Sequence, residues 1–372
     1  MATSKVKGHV SPGYEPVKDH LQKMLDSGCE DKLQLCVYVG KKCVVDLSAS
    51  FNPDEQSYSA DTMQCVFSSG KTVASIIVAK LVEQGLMNYG DKIVTHWPKF
   101  ASPDHPEKSE LTVADVLRHE SGLSWIDHTF QKEDFLLENI KKNKVSDVLE
   151  KEPLHFPGFG GDAKTPTKRE YHTITRGIVL NEIVRRVDPK GRTIGEIVKE
   201  DPNFDNIRIG LADDDIKKCT NEVALSSKKV LMQSMTPKHF GRGIEPNFLD
   251  LATLVQKGKK SAPKFAHRPT FMEGIPRELS RAHEVVNEEF LRKSELPSAN
   301  VHASARSLAK LAAMMANFGE SLDGNDANCL MTHDTWLKMH DKEKRAFDAM
   351  MSSKNIAKII FKNQRKSTCQ SI

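Results

Sequence analysis

The pattern of apolar and polar residues predicts helices in three separate segments of the chain. From Val17 onward, apolar residues recur at every fourth position, which predicts a helix over about 15–25 with one apolar face. Two further helices are predicted over about 173–187 and 304–317, and a Pro or a Gly follows each of them within two residues. These helices are expected to pack against other elements through one side only.

Two runs rich in β-branched and apolar residues lie on either side of a short turn. The runs cover residues 33–39 and 43–47, and Gly40-Lys41-Lys42 separates them. Such runs around a short turn that contains glycine predict an antiparallel hairpin. Because a hairpin pairs antiparallel strands, we do not expect a doubly wound parallel sheet.

One segment, residues 72–84, is apolar on nearly all sides of a helix, and Gly85 follows as a stop signal. A helix that is apolar all round belongs in the centre of a protein. Whatever immediately precedes residue 72 is therefore expected to be held rigidly at a buried position or in a cleft.

The rest of the chain indicates short helices and loops. Thr112 and Asp115 have the spacing of a helix capping box, residues 157–161 read as a Gly/Pro-rich loop, and residues 201–288 mix Pro, Gly and charge with little periodicity. No internal repeat is visible. The order of elements predicts an α+β fold, in which an antiparallel sheet is flanked by helices and joined to a mostly helical lobe.

Composition and charge narrow the class of protein. The chain has 372 residues, of which 38% are hydrophobic and 28% are charged, and its net charge is +4. These values are typical of a globular protein, and the small positive excess does not indicate a nucleic-acid partner. No apolar run approaches the roughly 18 residues of a membrane span, and the first residues are too polar for a signal peptide. We therefore expect no membrane span, no nucleic acid and a cytoplasmic location.

The cysteines and histidines do not predict a disulfide framework or a metal centre. None of the seven cysteines forms a C-x-x-C pair. His119-Glu120 begins a helical zinc motif, but the second histidine would stand at position 123, which is Leu123. We expect no cofactor.

The candidate for chemistry precedes the apolar helix. Ser68 and Lys71 stand three residues apart at its start, so their side chains share one face and can approach hydrogen-bonding distance. A serine becomes a good nucleophile when a base takes its proton, and a buried lysine beside another cation can be that base. By itself, S-x-x-K also fits a serine helix cap followed by a solvated lysine.

A second interpretation of these residues is a nucleotide-binding site, because Gly70-Lys71-Thr72 resembles the end of a phosphate-binding P-loop. The first glycine of that motif would stand at position 65, which is Cys65, and the flanking β-α-β pattern is missing. We therefore favour the serine hydrolase reading.

Several motifs in this order resemble the serine β-lactamase-like superfamily of class C β-lactamases, penicillin-binding proteins and related esterases, especially animal β-lactamase-domain proteins and EstB-type esterases. The matching segments are VFSSGK at 66–71, LMNYGDKI at 86–93, LRHESGL at 117–123, YHTITRG at 171–177, NEIVRRVDP at 181–189 and LPSAN at 296–300. The resemblance implies a β-lactamase/transpeptidase-like fold over residues 1–351. Its sheet layer would begin at about 8–60, its helical lobe would cover about 72–290 and its last helix about 303–318.

The resemblance also implies catalytic roles. Ser68 would be the acylated nucleophile, Lys71 its base or proton shuttle, and Tyr171 a second proton-transfer group at the family's Y-x-N motif. The third position of that motif is Thr173 here, which argues against efficient lactam recognition more than against hydrolysis. The expected substrate is a small-molecule ester or amide. Of the neighbouring residues, His119 and the pair Arg185-Arg186 are expected to be structural, the arginines on a solvated helix face.

The third motif of the family is not found in this sequence. The family places K-T-G or H-x-G on a strand after the last helix, and no such motif follows Gly319. An H-x-G stands at 239–241, which is out of order, and residues 352–372 form a basic segment without acids. The expectation is a fold that lacks its C-terminal strands, and a hydrolase impaired by that loss. The alternative is a catalytically inactive relative with a binding or scaffold role.

Overall fold

The structure, a computed structural model, describes residues 6–26, 28, 30–51, 58–155, 169–222, 227–240, 247–261, 270–275 and 285–340. Within them the predicted hairpin is present as β2 (Lys32–Val39) and β3 (Lys42–Ser50). The two strands pair antiparallel, with Leu35 opposite Leu47. The prediction of an antiparallel hairpin is therefore confirmed.

A further strand, β1 (Val6–Val10), pairs antiparallel with β3, which gives the sheet order β1-β3-β2. The sequence pattern missed this strand because its middle three residues, Lys7 to His9, are not apolar. Gly8 in its centre has a φ of 116°, and a Cβ there would lie 2.1 Å from the carbonyl oxygen of Asp46. Glycine is therefore required for β1 to lie this close to β3.

Fourteen α-helices lie within the described residues, besides several short 3-10 helices. In chain order they are α1 (Glu15–Asp26), α2 (Lys71–Glu83), α3 (Ile93–His96), α4 (Val113–Leu117), α5 (Leu137–Lys141), α6 (Lys144–Leu149), α7 (Thr175–Val187), α8 (Ile194–Glu200), α9 (Asp213–Ile216), α10 (Ser227–Met235), α11 (Phe248–Ser261), α12 (Glu289–Lys293), α13 (Ala305–Ala316) and α14 (His333–His340). Among these helices, none combines the length and the apolar character needed to cross a membrane.

Helices cover both faces of the sheet. Leu21 and Leu25 of α1 pack with Val45 of β3 in one apolar cluster. On the other face, Arg306 of α13 donates a hydrogen bond to Asp46 at 2.7 Å. Since successive side chains of a strand point to opposite faces, β3 is held between these two helices.

The larger core is built around α2. Its residues Val73, Ile76 and Ile77 are fully buried, and α7, α8 and α14 pack against it. The prediction of a buried central helix is therefore confirmed. The polar segment before this helix is consequently anchored to the most deeply buried element of the lobe.

A second small sheet anchors the chain just before α2. Its strands are β4 (Gln64–Cys65), β5 (Ile207–Arg208) and β6 (His302–Ala303), which pair antiparallel with β6 in the middle. Strands of two residues leave no periodic signal, so the sequence pattern did not predict this sheet. It brings together three segments that lie far apart in the chain.

The helix capping box at α4 is confirmed. The Thr112 hydroxyl accepts a hydrogen bond from the Asp115 amide at 3.2 Å, and the Asp115 carboxylate accepts one from the Thr112 amide at 2.9 Å. Residues 201–288 hold short helices as predicted, but α11 is 14 residues long, which the weak periodicity did not indicate. The loop predicted at 157–161 lies outside the described residues.

The expectation that Arg185 and Arg186 form a solvated helix face is wrong. Their side chains are only 11% and 18% exposed, and both pair with the carboxylate of Glu182, which is buried in α7. The guanidinium of Arg186 also lies 4.3 Å from the ring centroid of Trp97. The two arginines therefore neutralise a buried carboxylate, which a one-dimensional pattern does not reveal.

Candidate active site

Ser68 lies on a short 3-10 helix, Phe67–Gly70, that leads directly into α2. Phe67 has a φ of 46°, a conformation that residues other than glycine seldom adopt. The neighbouring Val66 amide donates to the carbonyl of Val301 at 2.8 Å. A Cβ on Gly70 would lie 2.2 Å from the Val301 side chain, so glycine is required there. This packing presents Ser68 at the surface of a rigid turn.

Lys71 is the buried partner of Ser68. Its side chain is only 9% exposed, and its Nζ lies 3.2 Å from the Ser68 Oγ. The Nζ also donates to the carbonyl oxygens of Thr173 at 2.7 Å and Ser298 at 2.9 Å. A neutral amine has two N–H bonds and one lone pair. When the two carbonyls accept both N–H bonds, the lone pair is directed at the Ser68 hydroxyl.

The pKa of Lys71 is lowered from 10.5 to about 7, first by burial and then by the charge of Arg176. Arg176 is buried in α7 and donates to the carbonyls of Leu117 and Lys71 and to the Ser75 hydroxyl. Because these partners are neutral, they leave the positive charge of the guanidinium uncompensated next to the amine. Near neutral pH, a substantial fraction of Lys71 is therefore uncharged.

Tyr171 also lies close to the Lys71 amine. Its ring centroid is 4.8 Å from the Lys71 Nζ, and its side chain is 51% exposed. Ser68 and Tyr171 thus both lie next to the Lys71 amine, and both are exposed to solvent. Thr173 contributes its backbone carbonyl oxygen to this amine.

Two histidines hold the segment that carries Tyr171. His119 Nδ1 accepts a hydrogen bond from the His172 amide at 3.0 Å, and the His119 ring lies 5.1 Å from that of Tyr171. His172 Nε2 lies 2.9 Å from the Ser121 hydroxyl. Burial lowers the pKa of His119 to about 3 and that of His172 to about 4, so both rings are neutral. Their role here is to fix the segment that carries Tyr171.

The Ser298 carbonyl is held in place by a buried asparagine. The Asn300 side chain donates to the carbonyls of Leu291 and Ser294, each at 2.6 Å, and accepts from the Leu296 amide at 3.1 Å. These bonds close the turn that contains Ser298. The LPSAN motif in the sequence therefore supplies an acceptor for the lysine as well as a structural turn.

Sequence reasoning did not identify Arg176, His172 or Ser298 as parts of the site. A signal was present for Arg176, because a cation in the first turn of a helix opposes the helix dipole. No signal of this kind exists for Ser298, whose contribution is a backbone carbonyl. Its role depends only on where the chain returns to Lys71.

Within the described part of the chain, one cluster of side chains could offer ligands to a metal ion. Side-chain atoms of Asp127, Glu152 and His155 all lie within 4.8 Å of one another. The Glu152 carboxylate already accepts hydrogen bonds from the amides of Asp127 at 2.6 Å and His128 at 3.0 Å. We assign this carboxylate to anchoring the loop at residues 127–128.

A protein-family model and a curated protein are similar to this chain. A family model described as Beta-lactamase matches residues 17–350. A curated relative, the esterase/beta-lactamase LipL of Mycobacterium tuberculosis, is 26% identical over 300 residues, which cover 78% of this chain. The chain spans 59% of the length of that relative.

Solved structures share the fold. A family VIII carboxylesterase superposes with a TM-score of 0.64 at 20% identity, covering 89% of this chain and 76% of its own. A penicillin-binding protein homolog from Caulobacter crescentus gives a TM-score of 0.59 at 23% identity, with the same coverage. EstA from Arthrobacter nitroguajacolicus Rue61a gives 0.54 at 22% identity, covering 88% of this chain and 74% of its own. The predicted α+β, β-lactamase/transpeptidase-like fold is confirmed.

Proposed function

The chain belongs to the beta-lactamase family, and from that premise we propose that it is a serine hydrolase that cleaves small-molecule esters or amides through an acyl-Ser68 intermediate. One observation carries the proposal. The Lys71 amine donates to two carbonyls and lies 3.2 Å from an exposed serine hydroxyl. This arrangement prepares a base for a nucleophile that substrate can reach.

Acylation would begin with neutral Lys71. Its lone pair takes the proton of the Ser68 hydroxyl while the serine oxygen attacks the carbonyl carbon of the substrate. The negative charge that develops on the carbonyl oxygen needs hydrogen-bond donors. Ser68 lies in the first turn of its 3-10 helix, where backbone amides have no acceptor further back in the helix, and its amide is suited to this task.

Tyr171 is proposed to complete the proton transfer. Its ring centroid lies 4.8 Å from the Lys71 Nζ, and Tyr171 is half exposed. We therefore propose that its hydroxyl exchanges protons with the amine and with a group that enters from solvent. In acylation it would pass a proton to the leaving group. In deacylation the resulting phenolate would take a proton from the water that attacks the acyl-enzyme, and protonated Lys71 would return its proton to the Ser68 oxygen as the acyl bond breaks.

Esters are the favoured substrate class. Relatives of this chain include proteins named as an esterase/beta-lactamase and a carboxylesterase. The residue that replaces the family's asparagine, Thr173, serves the amine through its backbone carbonyl, so this position supplies no amide side chain to a lactam. An ester also needs less help with its leaving group than an amide does.

A fluorophosphonate probe tests the nucleophile. We expect the probe to label the full chain with one equivalent and Ser68→Ala to abolish labelling. The adjacent exposed serine supplies a matched control, so Ser69→Ala should label as the unmodified protein does. Labelling that persists in Ser68→Ala would assign the nucleophile elsewhere. Failure to label or to hydrolyse a p-nitrophenyl ester, in protein with a cooperative melt, would favour the non-catalytic binding role instead.

A further inference from the structure

Helix α10 exposes apolar side chains and buries a polar one, which is the reverse of an ordinary surface helix. Leu231, Met232 and Met235 share one face of the helix with Lys228, and they are 45%, 66% and 58% exposed. The small polar Ser234 lies on another face and is only 3% exposed. A helix that faced water alone would show the opposite distribution.

The exposed apolar residues continue beyond α10. Phe240, in the short helix Lys238–Phe240, is 75% exposed, and Phe248 and Leu249 at the start of α11 are 50% and 74% exposed. Helices α10 and α11 contact each other. Together with Leu231, Met232 and Met235, these residues form what we term the α10–α11 apolar surface.

Exposed large apolar residues are more frequent in this segment than elsewhere among the described residues. Of the 13 large hydrophobic residues that are exposed among the described residues, six fall within residues 231–249. Single exposed apolar residues are common on protein surfaces, whereas a cluster of large ones indicates an interaction site. The α10–α11 apolar surface is therefore a candidate interaction site.

The charge of the surrounding sequence identifies the kind of partner. Residues 226–269 contain nine Lys or Arg and two Asp or Glu, a net charge of +7, although the whole chain carries only +4. The rest of the chain is thus net negative, and the sequence concentrates positive charge in the segment that also carries the exposed apolar residues. The complementary partner carries negative charge and accepts Leu, Met and Phe side chains.

We propose that the α10–α11 apolar surface docks the protein on an anionic lipid bilayer. Amphipathic helices bind such surfaces by inserting apolar side chains at the boundary between headgroups and acyl chains, while basic side chains attract the anionic headgroups. A nucleic acid would match the charge but would leave the leucine and methionine side chains in water. A lipid surface satisfies both features, and it requires no spanning helix.

Vesicle flotation tests the proposal. The full chain is mixed with phosphatidylcholine vesicles containing about one third phosphatidylserine, or with phosphatidylcholine alone. We expect binding to the anionic vesicles, weak binding to the neutral ones, and loss of binding in 1 M salt, where screening acts over about 3 Å. Met232→Gln combined with Met235→Gln should weaken binding about tenfold, and Lys228→Glu should weaken it by a similar factor.

The matched control is Leu337→Gln, because Leu337 lies on α14 and is 51% exposed. This variant should bind vesicles as the unmodified chain does, and all variants should melt at the same temperature. Equal binding by the double methionine variant would overturn the proposal. So would the absence of binding to anionic vesicles. If light scattering showed instead that the double variant dissociates an oligomer, the surface would be a protein interface and the lipid assignment wrong.

Discussion

Among the residues that the structure describes, two lysines are buried, and they have contrasting surroundings. Lys71 donates to two carbonyls and approaches the Ser68 hydroxyl. Lys108, which is fully buried, donates to the carbonyls of Leu149 at 2.8 Å and Glu150 at 3.2 Å. Burial is the main cause that lowers the pKa of both, to about 7 for Lys71 and about 8 for Lys108.

The two lysines differ in the charges that lie near them and in whether a serine hydroxyl lies beside the amine. A cation, Arg176, lowers the pKa of Lys71 further. Around Lys108, three carboxylates favour the charged amine and so partly offset the lowering of its pKa by burial. They belong to Glu107, Glu152 and Glu150. Lys108 forms no hydrogen bond to a serine hydroxyl in the described structure. A lowered lysine pKa is therefore not evidence of catalysis unless the amine also faces a nucleophile.

Replacing each lysine by methionine gives the largest expected contrast. Lys71→Met removes the proposed base, and the rate of fluorophosphonate labelling should fall by about 10²–10⁴-fold. Lys108→Met should leave the rate unchanged when it is measured on folded protein. The exposed Lys338 supplies a control, and Lys338→Met should change neither rate nor stability. A labelling rate maintained in Lys71→Met would show that another group acts as the base.

The pH dependence of labelling gives the second contrast. Because the neutral amine is the base, the rate should rise with pH and level off above about 7, the pKa of Lys71. Below that pH, each unit should lower the rate about tenfold, since the neutral fraction falls by that factor. The midpoint should be the same in Lys108→Met. A rate that does not change between pH 5 and pH 8 would contradict the role of Lys71.

For stability, we expect the effect at Lys108 and not in the labelling rate, and it should be the smallest of the three effects. Near pH 10.5, where Lys108 is neutral in the folded state, Lys108→Met leaves the carbonyls of Leu149 and Glu150 without their donor, and the free energy of unfolding should fall by about 1–3 kcal/mol. In the unmodified chain, the folded state loses the Lys108 proton near pH 8 and the unfolded state near 10.5, so this site raises stability as pH increases between those values. Denaturant unfolding at several pH values measures both effects. An unchanged slope with pH in Lys108→Met would show that Lys108 does not titrate in this window.

Much of the site could be predicted from local sequence. The three-residue spacing of Ser68 and Lys71 brings their side chains together because Ser68 lies one turn before Lys71, on the 3-10 helix that leads into α2. The apolar character of residues 72–84 predicted that this helix is central, since an element without a polar face has to be surrounded. The hairpin followed from two runs with a glycine turn between them. Each of these inferences depends on neighbours within a few residues.

The tertiary structure decided what Lys71 can do. Its acceptors come from Thr173 and Ser298, and its neighbouring cation is Arg176, all more than 100 residues away in the chain. The burial of Lys108 was equally invisible, because its sequence neighbours are polar. Helical periodicity is a local property of the backbone. The pKa of a side chain depends instead on desolvation and on charges that only the folded chain brings close.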